Sequence, residues 1–272
     1  MPTIETTPKN EESEVQRPRV ELFVATPCYG GMVTTSYMLS MLASVQILAE
    51  NNVNVHINTL TTESLITRAR NVQLAIFLSE PKYTHMLFID ADVGFNAEAI
   101  LDLLDADYPV SACPYPHKNY DFKKVKEALS KDADISPEHL RQSGINYVMN
   151  LPISHKKQQE ITVHKKHFIE VHDTGTGFFL IRRDAVVRML LAYPELRHTN
   201  TNEFYAQFND TAIALFDTMI DPDTKAYYSE DFAFCYRWRK LGGHIYLSLK
   251  HSLSHTGNHT FAGDILKSIT RS

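Results

Sequence analysis

Two aspartates separated by a single residue, Asp90 and Asp92, follow directly on the apolar run of residues 86–89. The run predicts a buried strand, and side chains two positions apart on a strand point to the same side. The two carboxylates are therefore expected to converge, where like charges repel each other. A divalent cation such as Mn²⁺ or Mg²⁺ would remove the repulsion by taking their oxygens as ligands. The alternative is a solvated turn, or a cap ahead of a helix predicted from Asn96.

A second pair of acids, Glu230 and Asp231, follows Ser229 and opens a helix predicted over residues 229–241. A serine cap and acids in the first turn would by themselves stabilise such a helix. A carboxylate in this position could instead act as a general base that takes the proton of an attacking hydroxyl. The residues alone leave both interpretations open.

Two glycines, Gly175 and Gly177, flank Thr176 just before an apolar run at residues 178–181. They would let the backbone approach a ligand closely, or they would simply form a turn. The segment is not a phosphate-binding loop of the Gly-Lys-Ser/Thr type, because no such triplet follows.

The histidines near the C-terminus have a spacing that occurs in zinc-binding helices. His255 and His259 are four residues apart, but Gly257 and Asn258 lie between them and disfavour a helix. We therefore expect no zinc site. A single histidine that joins the two aspartates around manganese or magnesium fits the sequence better.

The composition predicts a folded intracellular protein. The chain has 272 residues, of which 43% are hydrophobic and 22% charged, enough for one large α/β domain. Its net charge of -5 argues against a general polyanion binder, although residues 111–170 are locally basic. Three cysteines far apart are typical of reduced thiols. With no leader sequence and no long apolar run, we expect a cytoplasmic protein without a membrane span.

The elements that must position these residues alternate between strand and helix. The predicted strands cover residues 20–25, 53–59, 86–89, 109–113, 178–181 and 245–249, and the predicted helices 34–50, 63–79, 96–104, 183–191 and 229–241. This alternation predicts an α/β fold with a mostly parallel central sheet flanked by helices on both faces. Residues 1–18 read as a disordered tail and 19–272 as a single domain. Within that domain, residues 116–167 read as an irregular insertion or active-site flap.

Taken in order, several segments resemble glycosyltransferase family 2, whose members have the GT-A fold. The matching segments are Ala25-Thr26-Pro27-Cys28-Tyr29, Arg68-Ala69-Arg70-Asn71, Phe88-Ile89-Asp90-Ala91-Asp92, Gly175-Thr176-Gly177-Phe178 and Ser229-Glu230-Asp231, followed by His255. They resemble the family's first strand, its ARN helix, its metal-binding DxD strand, its acceptor-side strand, its ED helix and its metal-binding histidine. The order is more specific than any single match, and the combination is similar to phage and large-DNA-virus members.

The resemblance implies transfer of a sugar from a nucleoside diphosphate sugar, with a UDP-sugar expected, to an acceptor hydroxyl. Asp90, Asp92 and His255 would hold Mn²⁺ or Mg²⁺ against the diphosphate. Residues 19–115 would form the nucleotide-sugar half and 168–272 the acceptor half. The positions that correspond to the family's donor site are Thr26, Pro27, Tyr29, Arg68, Arg70, Asn71, Asp90, Ala91, Asp92, Gly175, Thr176 and Gly177.

The resemblance also implies individual roles. Tyr29 would stack on the base and Arg70 would reach the ribose or a phosphate. Asp231 would be the base of an inverting reaction, with Glu230 orienting the acceptor, which is expected to be a glycan or a protein.

The sequence departs from the family in two places. The family's aspartate on the second strand has no counterpart, since Asn54 and Asn58 occupy that strand. Residues 117–167 match no family segment, and acceptor specificity is expected there.

Three alternatives stay open. The locally basic segment would suit an acceptor base in modified DNA. A nucleotidyltransferase would share the sheet and the paired aspartates. It would also need a glycine-rich loop with a lysine, and residues 28–32 contain glycines but no lysine. The third alternative is a non-catalytic module that binds a nucleotide sugar.

Overall fold

The computed structural model describes residues 19–152, 162–165 and 167–269. The tail predicted for residues 1–18 lies outside this part, as does the middle of the predicted flap at residues 153–161. None of the helices described is long and apolar enough to cross a membrane.

The described chain contains strands and helices in alternation over its first half. The strands are β1 (Val20–Pro27), β2 (Val53–Leu60), β3 (His85–Ile89), β4 (Val93–Gly94), β5 (Val110–Ala112), β6 (Pro116–Tyr120), β7 (Ile145–Tyr147), β8 (Met149–Asn150), β9 (Val163–His164), β10 (Phe168–Val171), β11 (Asp173–Thr174), β12 (Phe178–Arg182), β13 (Met219–Ile220), β14 (Tyr227–Tyr228), β15 (Ile245–Ser248), β16 (Leu253–Thr256) and β17 (Thr260–Gly263). The helices are α1 (Thr35–Glu50), α2 (Ile66–Ser79), α3 (Ala97–Ala106), α4 (Phe122–Lys131), α5 (Pro137–Ser143), α6 (Arg183–Ala192), α7 (Glu230–Lys240) and α8 (Ile265–Ile269). Short 3₁₀ helices cover Tyr29–Gly31, Pro194–Leu196 and Glu203–Thr211.

The central sheet has eight strands within the described residues, in the order β2-β1-β3-β12-β5-β15-β10-β9. Strands β1, β2 and β3 are mutually parallel, and β5 is parallel to β15. Strand β12 is antiparallel to both of its neighbours, β3 and β5, and β10 is antiparallel to β15 and β9. All the strands of this sheet except β12 and β10 therefore run in one direction. The prediction of a mainly parallel α/β sheet is confirmed.

Both faces of the sheet are covered, because alternate residues of each strand feed different cores. On β1, Leu22 and Val24 pack with residues of α1 and α3 on one face. Phe23 and Ala25 pack on the other face with residues of α2, α6 and α7. This two-sided burial explains why β1 reads as a nearly continuous apolar run.

Two predicted elements differ from the structure in informative ways. Helix α2 begins at Ile66 rather than at residue 63, since the Glu63 carboxylate accepts a hydrogen bond from the Leu65 amide ahead of the first turn (2.9 Å). The segment from residue 116 is more regular than its polar sequence suggests. Strands β6 and β7 pair there, and α4 and α5 between them are capped by Asp121 and Ser136.

Candidate active site

The paired aspartates follow β3 at the edge where the parallel strands end. The chain turns immediately after Ile89, because the Val93 amide donates to the Asp90 carbonyl (3.0 Å) and β4 begins at Val93. The inference that Asp90 and Asp92 share one side of a strand is therefore wrong, since both lie in this turn. Ligands of open α/β sheets bind at this edge.

Asp90 is paired with a buried arginine. The Arg70 Nη2 donates to Asp90 Oδ1 at 2.9 Å, and Arg70 Nε lies 3.5 Å from Glu230 Oε1. Only 3% of the Arg70 side chain is exposed, and its guanidinium lies over the Phe88 ring. Burial alone would lower the pKa of Arg70, but the two carboxylates hold it above its ordinary value. Arg70 thus joins the turn after β3 to the start of α7.

Glu230 and Asp231 differ in what holds them. Burial raises the pKa of Glu230 despite the opposing effect of Arg70. Asp231 is half-buried, and its Oδ1 accepts hydrogen bonds from the Ser229 hydroxyl and from the Phe232 amide (2.8 Å). Ser229 occupies the N-cap position of α7, but its side chain makes no capping bond to a helix amide. The serine orients the acid instead.

Asp92 has different partners from Asp90. Its Oδ1 lies 3.1 Å from His255 Nε2, and its Oδ2 accepts a hydrogen bond from the Lys118 ammonium. Burial would raise the pKa of Asp92, but His255 and Lys118 outweigh it and hold the pKa below its ordinary value. The His255 Nδ1 donates to the Pro116 carbonyl (2.9 Å), because a carbonyl can only accept. This leaves Nε2 as the ring nitrogen that faces Asp92 Oδ1.

A small second sheet, β17-β16-β4, brings His255 to the aspartates. Strand β16 pairs antiparallel with β4, which places His255 opposite Val93. The Thr256 amide also donates to the Asp92 carbonyl (2.8 Å). At the start of α1, the Thr34 amide donates to the Ala91 carbonyl (2.8 Å). The turn that carries both aspartates is therefore held by β16 and by the start of α1.

Tyr115 is a site residue that the sequence analysis missed. It follows β5 at the same sheet edge, and its Oη accepts a hydrogen bond from the Gly177 amide (3.3 Å). Its ring lies perpendicular to that of His255, with 5.2 Å between the centroids. Burial raises the pKa of Tyr115, and the charges of Asp90 and Asp231 raise it further. The phenol is therefore neutral and close to both acids.

Tyr115 also explains the two glycines. A Cβ built at Gly175 would lie 2.1 Å from the Tyr115 Oη, and one at Gly177 would lie 2.6 Å from its Cζ. Thr176 between them is buried, and its hydroxyl has no hydrogen-bond partner among the described residues. The close backbone approach that the glycines permit is thus an approach to Tyr115.

The remaining predicted donor residues are distributed over the edge of the site. Tyr29 follows Pro27 at the end of β1 and is 72% exposed, whereas the Thr26 hydroxyl is buried against Tyr37 (2.7 Å). Arg68 is paired with Glu63. Asn71 holds a different loop, accepting from the Phe216 amide (2.9 Å) and donating to Asp217 (3.0 Å). Arg70 therefore reaches the turn of the two aspartates through Asp90, while Arg68 and Asn71 face other partners.

The residues present fit a divalent cation at Asp92. A carboxylate oxygen and an imidazole nitrogen lie together there, and the hydrogen bond to the Pro116 carbonyl fixes the histidine ring, as backbone carbonyls commonly do for metal-bound histidines. Four acids, Asp90, Asp92, Glu230 and Asp231, surround the site with two basic residues, Arg70 and Lys118, so an excess of negative charge is left for a cation to neutralise. Among the described residues, no three His, Cys, Asp or Glu side chains are already grouped as a metal site, since Asp90 is directed to Arg70.

Comparisons with known proteins gave similar structures but no assigned family. No family model and no curated protein matches the chain. Similar solved structures include A197 from STIV, with a TM-score of 0.44 and 16% identity over 88% of this chain and 86% of that one. A putative glucose-1-phosphate thymidylyltransferase from Bacillus anthracis in complex with a sucrose has a TM-score of 0.39 and 8% identity, covering 94% and 97%. A glycosyltransferase involved in the glycosylation of the major capsid of PBCV-1 has a TM-score of 0.29 and 10% identity, covering 68% and 72%. Because these scores and identities are low, they assign no activity to this chain.

Proposed function

We propose that this chain is a divalent-metal-dependent glycosyltransferase of the GT-A fold that moves a sugar from a nucleoside diphosphate sugar to an acceptor hydroxyl. The observation that carries the proposal is the contact between Asp92 Oδ1 and His255 Nε2, which lie 3.1 Å apart at the ligand-binding edge of the sheet. These residues are far apart in the sequence. The resemblance to family 2 names both of them as metal ligands and supports the same reading.

The metal site would be formed by Asp92 and His255, with Asp90 on the adjoining side of the turn. When bound, Mn²⁺ or Mg²⁺ would neutralise the charge that develops on the leaving diphosphate. The Pro116 carbonyl keeps the His255 ring in place, and Arg70 keeps Asp90 in place. The metal-ligating side chains are thereby held in position before the donor arrives, which lowers the entropy cost of assembling the site.

Asp231 is the residue we assign as the base. Its Oδ1 is fixed by Ser229 and the Phe232 amide, whereas the Glu230 carboxylate faces Arg70. A half-buried carboxylate at the first turn of α7 can take the proton of an acceptor hydroxyl. Attack from that side, opposite the leaving diphosphate, inverts the anomeric carbon. Glu230 would orient the acceptor from beside Arg70.

The donor base would lie beside Tyr29, whose exposed ring offers a stacking surface next to the end of β1. We propose a UDP-sugar as donor and a glycan or protein hydroxyl as acceptor.

The test is a replacement of the base. Asp231→Asn should reduce turnover by about 10²–10⁴-fold, because proton transfer to a positioned base contributes about that much. Donor binding, measured by thermal shift with nucleoside diphosphate sugars and Mn²⁺, should stay at the wild-type level. Normal turnover of this variant would refute the assignment.

The products and the salt dependence distinguish the alternatives. Release of a nucleoside diphosphate supports sugar transfer, whereas release of pyrophosphate would identify a nucleotidyltransferase. Acceptor binding that weakens steeply with salt would point to DNA, because phosphate contacts release counterions. Nucleotide binding with no dependence on metal and no turnover would favour a binding module.

A further inference from the structure

Lys118 lies on the strand that also supports the histidine of the proposed metal site. Strand β6 begins at Pro116, whose carbonyl accepts from His255 Nδ1, and two residues later Lys118 donates to Asp92 Oδ2. One short strand, at the start of the segment that matches no family pattern, therefore contacts both Asp92 and its histidine partner.

Lys118 and a divalent cation would compete for the same carboxylate, that of Asp92. With His255 at Oδ1 and the ammonium at Oδ2, both oxygens of Asp92 already have a partner. A carboxylate offers a cation its lone pairs, and a direct hydrogen bond from an ammonium occupies one of those positions. Two positive groups on one carboxylate also repel each other. Binding of the cation at Asp92 is thus coupled to departure of the lysine.

The lysine has room to leave, in contrast to Arg70. The Lys118 side chain is 38% exposed and ends a flexible stem, whereas Arg70 is only 3% exposed and pairs with two acids. Release of Lys118 into water leaves a solvated ammonium, which costs little. Release of Arg70 would leave buried charges unpaired.

We propose that Lys118 neutralises Asp92 in the metal-free protein and that a divalent cation displaces it on binding. This inference rests on the proposed metal site. It gives the β6 segment a role in setting metal affinity: Lys118 keeps Asp92 oriented and weakens binding of the ion by competing for it.

The test is Mn²⁺ titration of the full-length chain without donor, by calorimetry or by electron paramagnetic resonance of free Mn²⁺. Lys118→Met should bind Mn²⁺ about fivefold more tightly than wild type, the upper range expected for loss of a partly exposed ion pair. Lys118→Arg keeps the positive charge and should bind like wild type. Lys124→Met removes a lysine whose ammonium bonds to Asn146 (2.6 Å), and it should also leave affinity unchanged.

Each other outcome has a definite meaning. Unchanged or weaker Mn²⁺ binding by Lys118→Met would overturn the competition, and so would equal tightening by Lys124→Met, which would reveal a general charge effect. Asp92→Asn should bind Mn²⁺ more weakly than wild type; if it does not, the ion binds elsewhere and the competition at Asp92 is refuted. Sugar transfer by the wild-type enzyme is measured separately, so failure of this inference and failure of the proposed function give different results.

Discussion

The two aspartates of the turn after β3 are the same residue type, two positions apart, yet they lie in different electrostatic surroundings. Asp90 faces Arg70, which is almost fully buried and also pairs with Glu230. Asp92 faces Lys118, which is 38% exposed, and His255, which is anchored at its other nitrogen. One acid is thus tied into the fold, while the other has a partner that can exchange.

Removal of the buried cation should have the largest effect on stability. Arg70→Met leaves Asp90 and Glu230 without their shared partner, and breaking a buried pair in this way typically costs about 3–5 kcal/mol. Chemical denaturation at neutral pH measures the loss. A loss below about 1 kcal/mol, the usual value for exposed pairs, would show that the Arg70–Asp90 pair stabilises the fold no more than the partly exposed Lys118–Asp92 pair.

Substitution of Gly175, which packs against Tyr115, should cause the next largest loss of stability. Gly175→Ala places a methyl group 2.1 Å from the Tyr115 Oη, and overpacking of this kind typically destabilises by about 1–3 kcal/mol. Tyr115→Phe removes that oxygen, so the double variant should lose less than the two single losses added together. Strict additivity in denaturation experiments would mean that the glycine does not serve to accommodate the tyrosine.

The exposed cation should matter least for folding. Lys118→Met should cost less than about 1 kcal/mol, because partly exposed ion pairs contribute little. The measurement is the same denaturation experiment as for Arg70→Met. A loss as large as that of Arg70→Met would remove the distinction between the two aspartates and would make Lys118 a structural residue.

Asp92 and Glu230 should contribute to the pH dependence of stability with opposite signs. The pKa of Asp92 is lowered on folding, so its contribution is present above the unfolded value of about 3.8 and is lost as pH falls through the lower folded pKa. The pKa of Glu230 is raised, so its ionisation reduces stability as pH rises from the unfolded value of about 4.5 through the higher folded pKa.

Two variants separate these contributions. In a plot of the free energy of unfolding against pH, Asp92→Asn should reduce the loss of stability at acidic pH. Glu230→Gln should remove the loss of stability that accompanies ionisation of Glu230 as pH rises. Thermal melts between acidic and neutral pH measure both. Profiles that change in the same direction in the two variants would contradict the assigned shifts.

Local sequence patterns predicted the first half of the fold well. The strands from residues 20, 53 and 86 and the helix ending at residue 50 are confirmed to within a few residues as β1, β2, β3 and α1. These elements are set by apolar runs and helical periodicity, which depend on neighbouring residues only. The antiparallel insertion of β12 between β3 and β5 was not predicted, because pairing between distant strands leaves no local signal.

The candidate site shows the same division. Asp90, Asp92, Asp231 and His255 were named from the sequence, by pattern and by resemblance, and their roles stay predictions. Tyr115 and Lys118 were missed, although Tyr115 follows a strand predicted to end at this sheet edge. Lys118 lay in a segment that matched no motif, and its contact with Asp92 arises only when β6 folds back over the turn.

The apolar runs set where each strand ends, because they are the residues that must be buried, and they therefore set which acids lie at the ligand-binding edge. The partner that each acid meets depends on how the chain folds. Arg70, Lys118 and His255 come from a helix, an inserted strand and a second sheet, and long-range packing sets their distances to the aspartates. That packing makes one of two similar aspartates a fixed support and leaves the other able to change partners.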